Sequence, residues 1–139
     1  MVTFNLKVDK EMLIEAIDSK MDEITDYIFA ESQKNIINKS IIDEGTLLKS
    51  GNINRQLLNK SIIYSVPYAD SIEFGRLPGD MPPVEPIKDW LRRKLKLNDE
   101  KQINSFAWAI VKDIEKNGQD ARPFLQPAIV SAKVKFSKR

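Results

Sequence analysis

Between Asp9 and about Asn38 an apolar side chain returns every three or four residues, at Leu13, Ile17, Met21, Ile24 and Ile28. That spacing puts them on one face of an α-helix, and a helix of this span is about 45 Å long. Whatever else the chain forms has to be arranged along it. Asp9 stands where an N-cap is needed, and Val8 with Leu13 has the spacing of a hydrophobic staple. A second stripe, Glu11, Glu15, Asp18, Asp22 and Asp26, makes the same helix acidic. Before it, Val2, Phe4, Leu6 and Val8 alternate with Thr3, Asn5 and Lys7, the period of a half-buried strand.

After the helix, Asp43-Glu44-Gly45 reads as a turn, and Ser50–Asn54 and Leu58–Val66 as extended segments. In the second of these Leu58, Ile62, Tyr64 and Val66 share a face that Lys60 interrupts, while Asn59, Ser61 and Ser65 lie opposite. A β-hairpin packing one side onto the long helix follows, and Pro67, lacking an N–H, ends the ladder. Arg76 to Pro86 holds Pro78, Gly79, Pro82, Pro83 and Pro86, a segment expected to form neither helix nor strand. Pro86 suits the first turn of a helix with Ile87, Trp90, Leu91 and Leu95 on its apolar side. Another helix after Asn98 carries Ile103, Phe106, Ala107, Ile110 and Ile114, closed by Gly118. The last segment permits two readings. Pro127 can be a first helical position ahead of Ile129, Ala132 and Phe136, or Val134 and Phe136 can alternate with Lys133 and Lys135 in a strand; helix is favoured. The expected fold class is α+β: one domain over residues 1–139, a small antiparallel β-sheet packed against a long N-terminal helix, with additional C-terminal helices.

Composition removes several functions. The chain has no histidine and no cysteine, so zinc sites and Ser–His or Cys–His catalysis cannot be built, and disulfides are excluded. No cofactor, metal or catalytic residue is expected, and the protein is read as not an enzyme. Glu73 with Asp70 and Asp80 is the one carboxylate group resembling a metal-nuclease site, and the accompanying Asp/Glu-x-Lys spacing is missing. Met1–Lys7 lacks the basic region and apolar run of a signal peptide, and no stretch reaches the roughly 20 apolar residues that span a bilayer; a cytoplasmic place of synthesis is expected. Charge is uneven. Residues 1–31 hold eight acidic and three basic side chains, a net of −5, whereas Lys133, Lys135, Lys138 and Arg139 close the chain without an acid.

Three short segments share a pattern. In the first, Asp43, Gly45, Leu47 and Ser50 give a turn, a core anchor and the opening of a strand. In the second, Pro67-Tyr68-Ala69 is followed by Glu73-Phe74-Gly75, with Tyr68 and Phe74 read as core aromatics and Gly75 as the exit from a short helical turn. In the third, Arg122-Pro123-Phe124 is followed by Pro127, with Phe124 and Leu125 capping the core. In this order they resemble the head–tail joining, or tail-completion, proteins of long-tailed double-stranded DNA bacteriophages and prophages, with Glu44 where the family carries threonine. The resemblance spans Asp43 to Ala128 and leaves out the first helix.

The resemblance implies a structural virion protein of the neck. It would form a homo-oligomeric ring of six copies, or twelve, between the head connector or stopper and the tail-tube or tail-terminator proteins. It would be made in the host cytoplasm, have no membrane partner, and let genomic DNA pass without specific binding. Candidate interface residues are Leu77 and Met81, apolar side chains on the proline-rich loop, and Glu11, Glu15, Asp18 and Asp22 on the acidic helix face. The competing reading is a small DNA-binding protein using the basic residues at 88–96 (Lys88, Arg92, Arg93, Lys94, Lys96) and 133–139. No zinc finger, aromatic RNA-binding block or helix-turn-helix accompanies them.

Overall fold

A computed structural model describes residues 1–39 and 44–138; Asp43 and Arg139 lie outside the described residues. Helix α1 runs Lys10–Asn38, α2 Glu44–Ser50, β1 Gly51–Gln56 and β2 Asn59–Tyr64. Then come α3 Ala69–Phe74, α4 Val84–Lys94, α5 Glu100–Asn117 and α6 Leu125–Phe136. The fold is α+β, as expected, and the last segment is a helix.

Asp9 caps α1 as its position predicts: its Oδ1 accepts the Glu11 amide at 3.0 Å. Two elements then flank the helix. The hairpin lies along it with its tip toward the N-terminal end, so Tyr64 stacks on Phe29, ring centroids 6.1 Å apart. Arg55 reaches Asp22 (2.7 Å) and Asp26, and the Leu58 amide at the tip donates to Asp18 Oδ1 at 2.8 Å. The inner face of the hairpin is therefore Gly51, Ile53, Arg55, Lys60, Ile62 and Tyr64, in register Gly51↔Tyr64, Ile53↔Ile62 and Arg55↔Lys60. Lys60 does not break this face. Its side chain is only 6% exposed, with Nζ 2.8 Å from Asp18 and 3.4 Å from Asp22. Burying an ammonium is tolerable only when such partners surround it.

Helix α6 runs antiparallel to α1 on another side. Asn35 Nδ2 donates to the Phe124 carbonyl (3.0 Å), and the Tyr27 and Ser131 hydroxyls meet at 2.7 Å. The Lys20 ammonium lies 5.1 Å from the Phe136 ring centre. The core forms where these layers meet α2 and α3: Ile36, Leu47, Ala69, Ile72 and Phe124. Helices α4 and α5 pair with each other, around Leu91, Ile103, Ala107 and Val111.

Several expectations change. Val2–Val8 is no strand: residues 1–9 carry no regular structure and their apolar side chains are exposed, because no described strand offers them a ladder. Val8 and Leu13, the expected staple, are both exposed. Gly45 lies in the first turn of α2, not in a turn outside it, and Ser50 ends that helix rather than opening the strand, its hydroxyl donating to the Leu47 carbonyl at 2.8 Å. Phe74 is 77% exposed because α3 turns its other side, Ala69 and Ile72, to the core. Phe106 and Leu95 are likewise exposed, and Val111 takes the place in the α5 stripe expected for Phe106. Pro127 is the third residue of α6 and Pro86 the third of α4, still within the first turn where a missing N–H costs nothing. Arg76 is not irregular: it forms an antiparallel bridge with Gln119, both amides bonded at 2.8 and 2.9 Å.

Candidate functional site

The second and third shared segments meet through one side chain. Phe124, which precedes α6, has no polar group with which to cap it. Glu73, 51 residues earlier, does so instead: Oε2 accepts the amides of Phe124 (2.9 Å) and Leu125 (3.0 Å), and Oε1 accepts that of Gln126 (2.8 Å). Three orphan donors of a helix N-terminus are thus satisfied by a carboxylate, where the helix dipole also favours negative charge. Both oxygens are occupied by backbone, an arrangement suited to holding two segments together and unsuited to a nuclease metal. Among the described residues no cluster of three or more carboxylates stands close enough to hold a metal ion.

Around this cap the chain is tightly closed. The Arg122 amide donates to the Ile72 carbonyl at 2.7 Å. Gly75 leaves α3 with φ +76°, and a Cβ there would lie 2.6 Å from the Gln119 carbonyl oxygen and 2.8 Å from the Ala121 nitrogen. Only glycine fits both the backbone angle and the approach. Leu47 from the first segment, Ala69 and Ile72 from the second and Phe124 from the third are buried together; Tyr68 and Leu125 pack against them. Pro123 and Pro127 are half-buried, Pro67 exposed.

The candidate interface residues are dispersed. Glu11 and Glu15 are exposed on the first turns of α1. Asp18 and Asp22 instead face the hairpin. The Lys60 ammonium, then the Leu58 amide, holds the Asp18 carboxyl below its ordinary range, and Lys60 is pushed up by the same bond to Asp18. Leu77 and Met81 are exposed on a loop pinned by the Gly79 amide to the Glu115 carbonyl at 2.6 Å. The basic group on α4 is partly neutralised: Arg92 bonds Glu100 (3.0 Å) and Asp89 (2.7 Å), and Lys88 lies 3.4 Å from Glu85. Among the described residues no helix is long and apolar enough to cross a membrane.

Two features escape sequence reasoning. The Gln33 amide donates to the Tyr64 oxygen at 2.7 Å, Tyr64 shares a 2.6 Å bond with Ser32, and Ser32 donates to the Phe29 carbonyl at 2.7 Å. Burial pushes the Tyr64 hydroxyl above its usual pKa. The one signal in the sequence is Gly51, directly across from Tyr64, where a Cβ would stand 2.7 Å from the ring. The second is an open cleft of about 330 Å³ between α3, the proline-rich loop, α4 and α5, walled by Tyr68, Ile72, Trp90 and Ile114 with Arg76 and Asp113 at its polar side. Nothing in residue spacing announces a cleft whose walls come from four segments. Comparison with protein-family models, curated proteins and solved structures gives no match to this chain.

Proposed function

We propose that this chain is a structural subunit of the neck of a tailed DNA bacteriophage or prophage, assembling as a ring that completes the tail end and joins it to the DNA-filled head. The family resemblance of the three ordered segments carries the proposal. One observation supports a structural role for them: they meet at a single place, where Glu73 caps α6 and Leu47, Ile72 and Phe124 share a core. Residues used in this way fix a shape. A ring of six copies is the favoured assembly and twelve the alternative, with connector or stopper proteins on one side and tail-tube or terminator proteins on the other. The neck of the virion is its place of action, after assembly in the host cytoplasm. The pairing of Lys88 and Arg92 with carboxylates gives the DNA-binding reading no added support.

The test is genetic. An early stop codon in this gene, in the phage or prophage that encodes it, should leave DNA-filled heads and finished tails side by side and unjoined in electron micrographs. Normally joined virions would remove the neck assignment. Replacing Gly79–Pro82 by a minimal turn then asks whether Leu77 and Met81 take part: a folded protein with near-unchanged melting that no longer joins heads to tails places the loop at the contact.

A further inference from the structure

Residues 2–8 combine two properties that do not belong together in a finished fold. Their apolar side chains alternate as in a strand, and they are bare: Phe4 is 84% and Leu6 77% exposed. A strand with one apolar face and no ladder is an incomplete element. The same molecule carries an incomplete sheet. Among the described residues the sheet consists of the two hairpin strands alone. Ser65 N–H donates to the Ser50 carbonyl (3.4 Å), and with the observed register the alternation of bonded pairs turns the backbone groups of Ile53 and Arg55 away from β2. At that outer edge the Ile53 amide is held by the side-chain Oδ1 of its neighbour Asn52, at 3.0 Å. A side chain there stands in for a missing strand.

We propose that residues 2–8 act in trans, adding as a third strand to the outer edge of β1 in a second copy of this chain. The outward side chains on both elements, Thr3, Asn5 and Lys7 on one and Asn52, Asn54 and Gln56 on the other, place no like charges opposite each other. The exposed Leu57 and Leu58 at the hairpin tip extend the apolar surface the arm can cover. Within one chain the geometry is unfavourable. The arm leaves α1 at Asp9, about 14 Å along the helix from Asp18, where the hairpin tip sits. It would have to reverse at the residue that caps the helix. Because arm and edge are different surfaces, the contact is heterologous, the kind that repeats around a ring. The inference rests on the self-assembly part of the proposed function and not on the neck assignment.

Two measurements decide it. Sedimentation over a hundredfold concentration range should show the full chain associating. A Phe4→Ser/Leu6→Ser variant should stay monomeric through at least tenfold higher concentration, with an unchanged melting temperature at dilutions where both chains are monomeric, since both side chains are exposed. Because the chain has no cysteine, mixed single-cysteine chains report the pairing directly. Thr3→Cys, Asn5→Cys or Lys7→Cys, oxidised with Asn54→Cys, should give a covalent dimer that a Ser137→Cys control does not. If the serine variant associates as the parent does, the arm is not the contact, while ring assembly stands. A full chain that stays monomeric without cross-linking overturns trans pairing, whereas the neck assignment is judged separately, by whether heads and tails join in the virion. A double-cysteine chain that closes on itself shows fold-back and overturns trans pairing equally.

Discussion

Helix α1 is one continuous element with two different fates. From Met21 onward it is flanked by the hairpin and by α6, and Thr25, Ser32 and Ile36 are buried. Before Lys20 it projects past the end of α6, and Leu13 and Ile17 are exposed although they continue the same apolar stripe. Periodicity says which face of a helix is apolar. It does not say how far the covering elements reach: α6 ends at Phe136 beside Lys20, and the hairpin tip stops at Asp18. The bare half therefore reports either surplus apolar surface or a partner, and the arm that precedes it belongs to the same bare region.

The difference should be largest in stability. Ile36 is fully buried and Ile17 is 45% exposed. Ile36→Ala leaves a cavity in the core shared by α1, α2, α3 and α6, and should cost about 2–5 kcal/mol in urea unfolding. Ile17→Ala, at low protein concentration, should stay within about 1 kcal/mol. Equal losses at the two positions would mean that the projecting half is packed in solution.

The covered half depends on α6 being held at its start. Glu73→Ala abandons three amide donors and should cost about 1–3 kcal/mol, with Glu73→Gln recovering part of it, since one amide oxygen still accepts. The loss should appear as earlier amide exchange along α6 and in Thr25–Ile36 of α1, while the first turns of α1 exchange as before. Uniform acceleration along α1 would remove the distinction between its halves.

How much of this is legible beforehand follows from what each signal encodes. The long helix, its Asp9 cap, the hairpin, Gly75 and Gly118 are local: a few neighbouring residues suffice to specify them. The arm reads as a strand because its alternation is real, whereas a ladder partner is a property of the rest of the molecule. Phe106, placed by periodicity, and Phe74, read as a core aromatic, are misplaced for a related reason, since a large apolar residue at a helical position marks a face only once the neighbouring helix is placed. The Glu73 cap joins residues 51 apart in the chain, and the motif draws attention to the residue without disclosing its task. Lys60 looks like a defect in a hydrophobic face until the aspartates of α1 are set opposite the inner side of the hairpin.

Within the covered half, the Tyr64 hydroxyl links Gln33 and Ser32 across the hairpin–helix boundary. Ser32 donates to the Phe29 carbonyl, so the Tyr64 O–H points to Ser32 and its oxygen accepts from Gln33. Tyr64→Phe keeps the ring against Phe124, whose centroid is 4.9 Å away, and removes only this relay. A loss of about 1–2 kcal/mol is expected, smaller than for the cap because fewer groups are stranded. A neutral result would mean that water replaces the hydroxyl.

The smallest effect lies at the border between the halves, where Asp18 meets Lys60 and the Leu58 amide. The Asp18 carboxyl is held below its ordinary pKa of 3.8 chiefly by Lys60. A group whose folded pKa is depressed stabilises the fold fully above its unfolded value and loses that contribution as pH falls through the folded one. Lys60, shifted upward from 10.5, contributes below that value and loses its contribution as pH rises through its folded pKa. The pair therefore supports the fold between roughly pH 5 and 9 and fades at both extremes. Asp18→Asn should be less stable than the parent at neutral pH, and the two should converge as pH falls through the depressed native pKa of Asp18, where the native carboxyl is also protonated. Because Asp18 is near the surface, raising the salt concentration should narrow the neutral-pH gap as well. A gap that persists unchanged in acid would mean that the difference does not come from the charge on Asp18, since the Asn amide oxygen can still accept the Leu58 N–H.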